Sequence, residues 1–481
     1  MKEYVLAIDI GTTSTKAVAF SKTGELLQEA REGYPILRPQ PNYQEQNPAG
    51  IYEALMKAAK TVIEVSEKAP LAISFSSAMH SLILLDEDDK LLTNSIIWAD
   101  GRSQKYANEL NAKAIGKDIY KQTGTPIHPM SPLCKIAWFR DQEASTFEQT
   151  ARFISIKEYV LQAWFDRFVV DESIASATGL FDIHHRTWYK PALDYCGIKE
   201  SQLSESVPTT YILKNLKEEI SEQLQIPNNT PVVIGASDGC LANLGAGVRS
   251  MGKAVISIGT SAAIRMTNDA PILDVDAQLF NYILDEDHYV IGGPSNNGGV
   301  IYEWFQATFG EVADASKIGV GADRLLFLPY LMGERAPIWN TDARAAFIGL
   351  RKSHTKVHLL RAVLEGIVMN LYQIAQALEQ QEAKIEAIYA NGGFTQNDLA
   401  VQILADVFNV KVHLQAHEEG TALGAALLAF RALSIAQDIG TQTNESFTPD
   451  PAAHQTYQAY FEIWKGLYSR LEESFVALQK L

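Results

Sequence analysis

The chain has 481 residues, of which 47% are hydrophobic, and this is enough for more than one core because single cores stop growing near roughly 250–300 residues. Its 41 basic and 57 acidic residues give a net charge of −16, spread over both halves, which argues against nucleic acid and anionic membranes as partners. Three separated cysteines argue against a disulfide framework or a zinc site, and no signal peptide or membrane span is predicted. We therefore expect a cytoplasmic protein.

Short β-branched segments alternate with helical patterns along the whole chain. Strands are predicted at 5–10, 16–20, 72–76, 232–234, 254–258, 289–291 and 385–390. Apolar residues at helical spacing predict core-facing helices at 48–65 and 357–378. This alternation predicts an α/β fold. Glycines near residue 250 predict a hinge between an N-terminal domain at 1–247 and a C-terminal domain at 248–481.

A short motif occurs once in each half. Residues 8–14 read IDIGTTS and residues 256–261 read ISIGTS, and each copy lies between two apolar strand patterns. This arrangement predicts two hairpins whose turns expose small side chains and backbone N–H groups, and such turns can wrap around phosphate oxygens. The candidate phosphate-binding residues are Gly11, Thr12, Thr13 and Lys16 in the first copy and Gly259, Thr260 and Ser261 in the second.

The first copy of the motif also carries charged residues. Asp9 lies at a strand end, where its carboxylate could hold Mg²⁺ through water, and Lys16 adds positive charge for the phosphates. The alternative is a threonine-rich hairpin whose hydroxyls are structural. The sequence has no Walker-type loop, so an ordinary nucleotide-binding strand–loop–helix unit is not predicted.

Asp238 follows the apolar strand pattern at 231–234 and lies among the small residues of the segment GASDG. A carboxylate at a strand end is open to a substrate and could act as a base. The helical pattern that follows supports a second interpretation, in which Asp238 caps the N-terminus of a helix. The two phosphate-binding hairpins favour the catalytic interpretation.

Two further segments, FSSAMHS and IWADGRS, follow strand patterns and place His80, Trp98, Asp100 and Arg102 at adjacent strand ends. These side chains predict a pocket for a polyol. A carboxylate and a guanidinium can bracket vicinal hydroxyls, and an indole can cover the carbon chain. The alternatives are a buried structural histidine and a local ion pair between Asp100 and Arg102.

Glycines also follow the strand pattern at 385–390. Gly392 and Gly393 could admit adenosine and its α-phosphate against a helix that begins near Asn397. A Gly-Gly turn by itself is common. Downstream, the segment GTALGAA at 420–426 predicts a small-residue helix face that packs beside the nucleotide.

From residue 4 to about residue 430 the chain resembles the FGGY carbohydrate kinase family. Besides the motifs above, the segment MSPLCKIAW at 130–138 and the segments AFIGL and RAVLE at 346–365 resemble the two family signatures. The resemblance implies two ribonuclease-H-like domains of the actin, hexokinase and Hsp70 kind, with ATP and a sugar meeting in the cleft between them. Within the family, the polyol-facing segments resemble those of the gluconate kinases, with the xylulose kinases as the nearest rivals.

The resemblance also implies roles for individual residues. Asp238 would be the general base, Asp9 the carboxylate associated with Mg²⁺, and Met79 with His80 a substrate contact. Ser257 stands where the first copy of the motif has a carboxylate, so only one half should carry the metal. The implied reaction is the ATP-dependent phosphorylation of D-gluconate at its 6-hydroxyl, with a pentulose or another polyol as the alternative substrate.

A gluconate carboxylate taken out of water must be paired or well hydrogen-bonded. The candidate partners are His80, Arg102, His128 and Lys135, and His128 is the most distinctive because two prolines fix the backbone around it. An actin-like or Hsp70-like binding protein would share the phosphate hairpins but would not need these side chains. A homodimer is compatible with the sequence.

Overall fold

The computed structural model describes residues 2–276, 278–312, 314–380, 383–415, 419–436 and 443–479. The strands of the N-terminal half are β1 (Tyr4–Ile10), β2 (Ser14–Ser21), β3 (Leu26–Gly33), β4 (Glu45–Gln46), β5 (Ala72–Ser77), β6 (Ile83–Leu85), β7 (Ser95–Ile96), β8 (Arg152–Ile154), β9 (Val169–Asp171), β10 (Phe181–Asp182), β11 (Thr187–Trp188), β12 (Glu205–Val207), β13 (Ile212–Leu213) and β14 (Val232–Ser237). The helices of this half are α1 (Pro48–Ser66), α2 (Gln104–Asn111), α3 (Ala114–Thr123), α4 (Pro132–Gln142), α5 (Ala144–Gln149), α6 (Ile156–Phe165), α7 (Glu172–Ser176), α8 (Lys190–Cys196), α9 (Glu218–Leu224) and α10 (Asp238–Gly245).

The C-terminal half follows the same alternation. Its strands are β15 (Lys253–Ile258), β16 (Ala262–Asn268), β17 (Phe280–Ile283), β18 (Tyr289–Ser295), β19 (Leu326–Leu328), β20 (Ala346–Ile348), β21 (Ala387–Asn391), β22 (Lys411–Gln415) and β23 (Thr443–Phe447). Its helices are α11 (Gly299–Phe309), α12 (Lys356–Glu379), α13 (Asp398–Phe408), α14 (Gly420–Ala432), α15 (Pro451–Trp464) and α16 (Leu467–Gln479). Short 3₁₀ helices lie at Glu200–Gln202 and Gly393–Gln396.

Each half contains one large mixed sheet, and the two sheets share a topology. The strand order is β13-β14-β5-β1-β2-β3 in the first sheet and β17-β18-β16-β15-β21-β22-β23 in the second. In both sheets an antiparallel hairpin (β1–β2, β15–β16) continues on one side into a third antiparallel strand and on the other into two parallel strands. The short repeat in the sequence therefore marks a duplication of a whole ribonuclease-H-like sheet.

Helix α1 illustrates how the sequence produces these elements. The Asn47 side chain caps the helix by accepting hydrogen bonds from the backbone N–H groups of Ala49 and Gly50 at 3.0 and 3.4 Å, and Pro48 takes the first helical position. The apolar face packs on β2 and β3, with Leu55 fully buried. Burial of one such side chain stabilises a fold by about 1.5–3 kcal/mol, so the predicted core-facing helix forms. None of the described helices has the length and hydrophobicity needed to cross a membrane.

Helix α14 joins the two halves. It belongs to the C-terminal half by sequence, yet it packs against α10 and against β1, β5 and β14 of the N-terminal sheet. A methyl group on Gly245 would lie 1.7 Å from the carbonyl oxygen of Gly420, and one on Gly424 would lie 2.2 Å from that of Leu241. The small-residue face of α14 therefore contacts α10, and its position relative to the nucleotide stays a prediction.

Candidate active site

The first Gly-Thr turn, between β1 and β2, faces the boundary between the halves. The indole Nε1 of Trp98 donates a hydrogen bond to Thr12 Oγ1 at 3.0 Å, which ties the turn to the segment after β7. Thr13 is exposed at the tip, and its carbonyl oxygen accepts a hydrogen bond from the N–H of Tyr34 at 3.1 Å. These two hydrogen bonds hold the turn in place, and Thr13 at its tip stays exposed.

The second Gly-Thr turn, between β15 and β16, is supported by the start of α11. The N–H of Gly299 donates to the carbonyl oxygen of Gly259 at 2.6 Å, and the N–H of Gly298 donates to that of Thr260 at 3.2 Å. A Cβ atom on Gly298 would lie 2.6 Å from the carbonyl oxygen of Ser261, so glycine is needed at that position. These two glycines were not predicted as part of the site, because they lie several residues beyond the strand pattern at 289–291.

A cavity of about 340 Å³, called the smaller cavity below, lies between the two halves. The N-terminal half contributes side chains at or near the ends of its strands, and the C-terminal half contributes side chains from β16, β17, the second Gly-Thr turn and the segment between β19 and β20 that carries Arg335. The lining residues used below are Thr12, Met79, His80, Trp98 and Asp238 from the first half and Thr260, Ser261, Arg265, Tyr282 and Arg335 from the second.

A larger cavity of about 780 Å³ lies in the C-terminal half and shares Gly259 and Thr260 with the smaller one. Gly393 and Asn397 line it, and Asn397 caps α13 by accepting a hydrogen bond from the N–H of Ala400 at 3.2 Å. Gly392 has φ +96°, and a Cβ there would lie 2.4 Å from the carbonyl oxygen of Ile258, so this turn requires glycine. The second Gly-Thr turn therefore separates two adjoining cavities.

Asp238 lies at the junction of β14 and α10. The N-cap residue is Ser237 and Asp238 is the first helical residue, so the alternative interpretation of Asp238 as the helix cap does not hold. Its Oδ1 accepts a hydrogen bond from the N–H of Gly239 at 2.7 Å. Burial, followed by the negative charge of Asp9, raises the pKa of Asp238 to about 6, and the guanidinium of Arg265 opposes this rise. A carboxylate with this pKa is ionised at neutral pH and is more basic than an ordinary aspartate.

Asp9 lies near the end of β1, directly across the hairpin from Lys16 and beside Ser76 of β5. Its Oδ1 is buried and has no hydrogen-bond partner among the described residues. Burial raises the pKa of this carboxyl group, against the lowering effects of Ser76 and Lys16. An unpartnered carboxylate oxygen fits a Mg²⁺ ion that takes its other ligands from phosphates and water. Within the described ranges, no group of three or more His, Cys, Asp and Glu residues could hold a metal ion, so Asp9 would not act within a larger protein cage.

Asp100 and Arg102 lie outside the smaller cavity and bond to each other. Arg102 Nε donates to Asp100 Oδ1 at 2.9 Å, and Arg102 Nη2 contacts Glu45 Oε1 at 2.5 Å. The guanidinium also stacks 3.9 Å from the centroid of the Tyr43 ring, and the side chains of Arg102 and Asp100 are 4% and 0% exposed. The geometry therefore corresponds to the local ion pair, and a polyol has no access to these two residues in this arrangement.

The buried lysine among the predicted cations is also occupied. Lys135 is fully buried, and its Nζ donates to the carbonyl oxygens of His80, Ile96 and Ile97 at 2.6, 3.1 and 2.9 Å. These bonds fix the backbone of the segments that carry His80 and Trp98. Lys135 thus shapes the cavity and does not face a substrate carboxylate.

The two predicted histidines are neutral at neutral pH. Burial lowers the pKa of His80 to about 3, and its Nδ1 lies 2.7 Å from the carbonyl oxygen of Ala177, so Nδ1 carries the proton and Nε2 can accept a hydrogen bond. Burial and the charge of Arg335 hold the pKa of His128 well below its usual range. The Nδ1 of His128 accepts from the N–H of Met130 at 3.2 Å. A cationic role for His128 does not fit this environment.

Arg265 and Arg335 carry the positive charge of the smaller cavity, which was predicted at other residues. Both line the smaller cavity, and neither forms a salt bridge with a carboxylate in the part of the chain that the structure describes. Arg335 has a buried Nε without a hydrogen-bond partner there, and its guanidinium lies 5.3 Å from the centroid of the Trp98 ring. Burial lowers the pKa of Arg335 to about 10, at which it stays charged. No local motif marks either arginine.

Two duplicated ribonuclease-H-like sheets, each with a Gly-Thr turn, enclose a polar cavity that contains a basic carboxylate and adjoins a larger cavity. This arrangement defines a two-domain phosphotransferase that uses a nucleotide. Residues 4–245 match the N-terminal domain of the FGGY family of carbohydrate kinases, and residues 254–433 match its C-terminal domain. The chain belongs to the FGGY family of carbohydrate kinases, and ATP is accordingly its phosphoryl donor.

Relatives of the chain are similar over their full length. Gluconokinase from Bacillus subtilis (strain 168) is 40% identical over 504 residues, which cover 99% of this chain and 98% of the relative. The solved structure of ligand-bound xylulose kinase from Lactobacillus acidophilus is similar with a TM-score of 0.96 at 35% identity, covering 99% of this chain and 100% of the other. Gluconate kinase from the same organism gives a TM-score of 0.95 at 34% identity, with the same coverages.

These similarities confirm three predictions: the family, the fold of two ribonuclease-H-like domains and the carbohydrate kinase activity. An actin-like or Hsp70-like binding protein is set aside as an alternative. The exact domain boundary at 247/248, the cytoplasmic location and the homodimer stay predictions.

Proposed function

We propose that this kinase phosphorylates D-gluconate at its terminal 6-hydroxyl and that Asp238 is the general base. The observation that carries the choice of substrate is the pair of guanidinium groups, Arg265 and Arg335, that line the smaller cavity without a carboxylate salt bridge among the described residues. A substrate carboxylate would pair with them through charge-assisted hydrogen bonds. A neutral ketose has no group that needs such a partner. The gluconokinase from Bacillus subtilis, 40% identical to this chain, supports the same choice.

Asp238 would take the proton from the 6-hydroxyl as that oxygen attacks the γ-phosphorus. Phosphoryl transfer needs little covalent help from a protein, so positioning and charge neutralisation supply most of the rate. The hydroxyls and backbone N–H groups of Thr12, Thr13, Thr260 and Ser261 would hold the β- and γ-phosphates. Mg²⁺, held near Asp9, would neutralise charge on the phosphates.

The polyol chain would lie between the remaining side chains of the smaller cavity. Trp98 offers an apolar face to the carbon chain, as does Met79, and both line the cavity. The Nε2 atom of His80 lies 3.4 Å from the hydroxyl of Tyr282, and it would accept from a substrate hydroxyl in place of that group because the Nδ1 proton is engaged by Ala177. Adenosine would occupy the larger cavity against the Gly392–Gly393 turn and the start of α13. Because each cavity includes the second Gly-Thr turn, the γ-phosphate would reach the smaller one.

A coupled ADP-release assay tests the proposal. Purified protein is given Mg-ATP and, one at a time, D-gluconate, D-xylulose, D-ribulose and glycerol at matched concentrations. We expect gluconate to give the highest kcat/KM. Turnover of xylulose above that of gluconate would refute the choice of substrate but leave the kinase family intact.

Xylulose is the second candidate substrate. It is favoured by one observation, the TM-score of 0.96 with the ligand-bound xylulose kinase from Lactobacillus acidophilus. The gluconate kinase from that organism is almost as similar, at 0.95, so overall shape does not separate the two. The charge of the cavity lining supports the acid.

A further inference from the structure

Lys16 is held across the junction between the two halves. It lies on β2 directly opposite Asp9 of β1, yet its Nζ lies 2.5 Å from Glu419 Oε1. Glu419 is the residue before α14 and is 403 positions away in the sequence. The two side chains are 27% and 17% exposed, so the pair is sheltered from solvent. Lys16 therefore forms an ion pair in this arrangement, and its contact with the phosphates stays a prediction.

Without Glu419, Asp9 would be an available partner for Lys16, because the two residues are paired across the hairpin and Lys16 already lowers the pKa of the Asp9 carboxyl group. Directly opposed residues of an antiparallel pair have Cβ atoms about 4.5–5.5 Å apart and point to the same face of the sheet. The free Oδ1 of Asp9 would attract the ammonium group. An ammonium paired with that oxygen would neutralise the carboxylate and would occupy the site that a cation needs.

We propose that Glu419 is a positioning residue, which keeps the ammonium group of Lys16 away from Asp9 and so leaves the Asp9 carboxylate free for Mg²⁺. The proposal rests on the proposed metal-binding role of Asp9. Glu419 is suited to this task because α14 is fixed in place: Gly424 and Gly245 allow α14 to pack directly on α10, and α14 also packs on β1. The charge of Glu419 thus has a set position relative to the first hairpin.

The test measures the ratio of the dissociation constants of ATP without and with Mg²⁺, by calorimetry on the full chain in the absence of sugar. This ratio reports metal use, and a phosphate contact that is lost in both conditions cancels from it. We expect Glu419→Gln to lower the ratio about five- to tenfold, since the freed ammonium competes for Asp9. Lys16→Met and the double variant Lys16→Met/Glu419→Gln should keep the ratio at or above the wild-type value, because no ammonium competes in them.

Arg431→Met is the matched control, because it removes another ion pair of α14, the 2.5 Å contact with Asp285, far along the helix from Asp9. Its ratio should equal that of the wild type, and thermal melting confirms that each variant is folded. A wild-type ratio in Glu419→Gln overturns the proposal. An equal loss in Glu419→Gln, Lys16→Met and the double variant also overturns it, because the pair would then be only a structural tie.

Asp9→Asn separates failure of this proposal from failure of the metal assignment. If Asp9→Asn lowers the ratio and Glu419→Gln does not, the positioning role is wrong and the role of Asp9 stands. If Asp9→Asn keeps the wild-type ratio, Asp9 does not hold the metal. Both the metal-binding role of Asp9 and the positioning role of Glu419 are then wrong. The base at Asp238 and the choice of substrate are not affected by either result.

Discussion

The two halves share a sheet topology but bring opposite charges to the smaller cavity. The N-terminal half contributes Asp238 to its lining, with Asp9 behind it, and the C-terminal half contributes Arg265 and Arg335. At the first hairpin Asp9 faces Lys16, whereas at the second Ser257 faces Ala263. The duplicated backbone thus supplies two Gly-Thr turns, which we propose bind the phosphates, and the two halves differ in the side chains around them.

This difference distinguishes the residues that the hairpin turn needs for its shape from the residues that the reaction needs. A hairpin turn in either half needs small residues and free N–H groups, and both copies of the motif keep them. Only the first hairpin carries a carboxylate, Asp9, and the proposed metal site is accordingly assigned to that half. We therefore expect variants at Asp238 to affect the chemical step and variants at Arg265, Arg335 and Thr260 to affect binding.

The largest effect is expected from Asp238→Asn, which removes the base of the N-terminal half and keeps the side-chain volume. We expect kcat to fall by about 10²–10⁴ while ATP still binds. Steady-state kinetics and calorimetry with ATP measure the two quantities. Asp194→Asn, a change at a side chain that is 60% exposed, is the matched control and should be silent. Turnover of Asp238→Asn near the wild-type value would remove the assignment of the base.

Arg265→Met and Arg335→Met test the C-terminal half. Loss of a charge-assisted hydrogen bond costs about 1.5–3 kcal/mol, so the KM for gluconate should rise roughly 10–100-fold in at least one of them, with the KM for ATP nearly unchanged. Arg102→Met removes a buried guanidinium outside the cavity. It should lower stability without changing the ratio of kcat/KM for gluconate to that for xylulose. An unchanged KM for gluconate in both cavity variants would contradict the carboxylate-binding role.

The pH dependence should follow the raised pKa of Asp238. The base works in its ionised form, so kcat/KM should be flat above about pH 6 and should fall about tenfold per unit below it. A pH–rate profile of the wild type measures this limb. The residual activity of Asp238→Asn should lack it. An acid limb near pH 4, the ordinary aspartate range, would show that the cavity does not shift the pKa of this group.

A smaller effect is expected at the second Gly-Thr turn. Thr260 lines both cavities, and Thr260→Val removes one neutral hydrogen-bonding group worth about 0.5–1.5 kcal/mol. The KM for ATP should rise a few-fold, and the order of preference among sugars should stay the same. A changed sugar preference with an intact KM for ATP would mean that the two cavities have been assigned the wrong way round.

The local part of the site could be predicted from the sequence. The Gly-Thr turns and the position of Asp238 depend on neighbours within a few residues, and each lies where the strand pattern placed it. Asp100 and Arg102 were predicted to face the polyol because they are adjacent in sequence. The same adjacency lets them pair with each other, and Glu45 completes the cluster from a distant segment.

The charge of the cavity could not be predicted in this way. Arg265 lies in an ordinary strand, and it reaches Asp238 only because the second sheet faces the first across the cavity. Lys16 is predicted to be a phosphate ligand from the hairpin alone, whereas its ion pair with Glu419 depends on the position of α14. Both contacts depend on how the two halves pack against each other. Helices α10 and α14 meet at this boundary through glycines, and no local sequence pattern shows what those glycines contact.

A competition experiment tests the central claim most directly. The protein receives Mg-ATP with D-gluconate and D-xylulose at equal concentration, and NMR follows which compound is consumed and which carbon carries the new phosphate. We predict that gluconate is consumed first and that the phosphate appears on C6, the end of the chain opposite the carboxylate. Consumption of xylulose ahead of gluconate, or phosphate on another carbon of gluconate, would contradict the account.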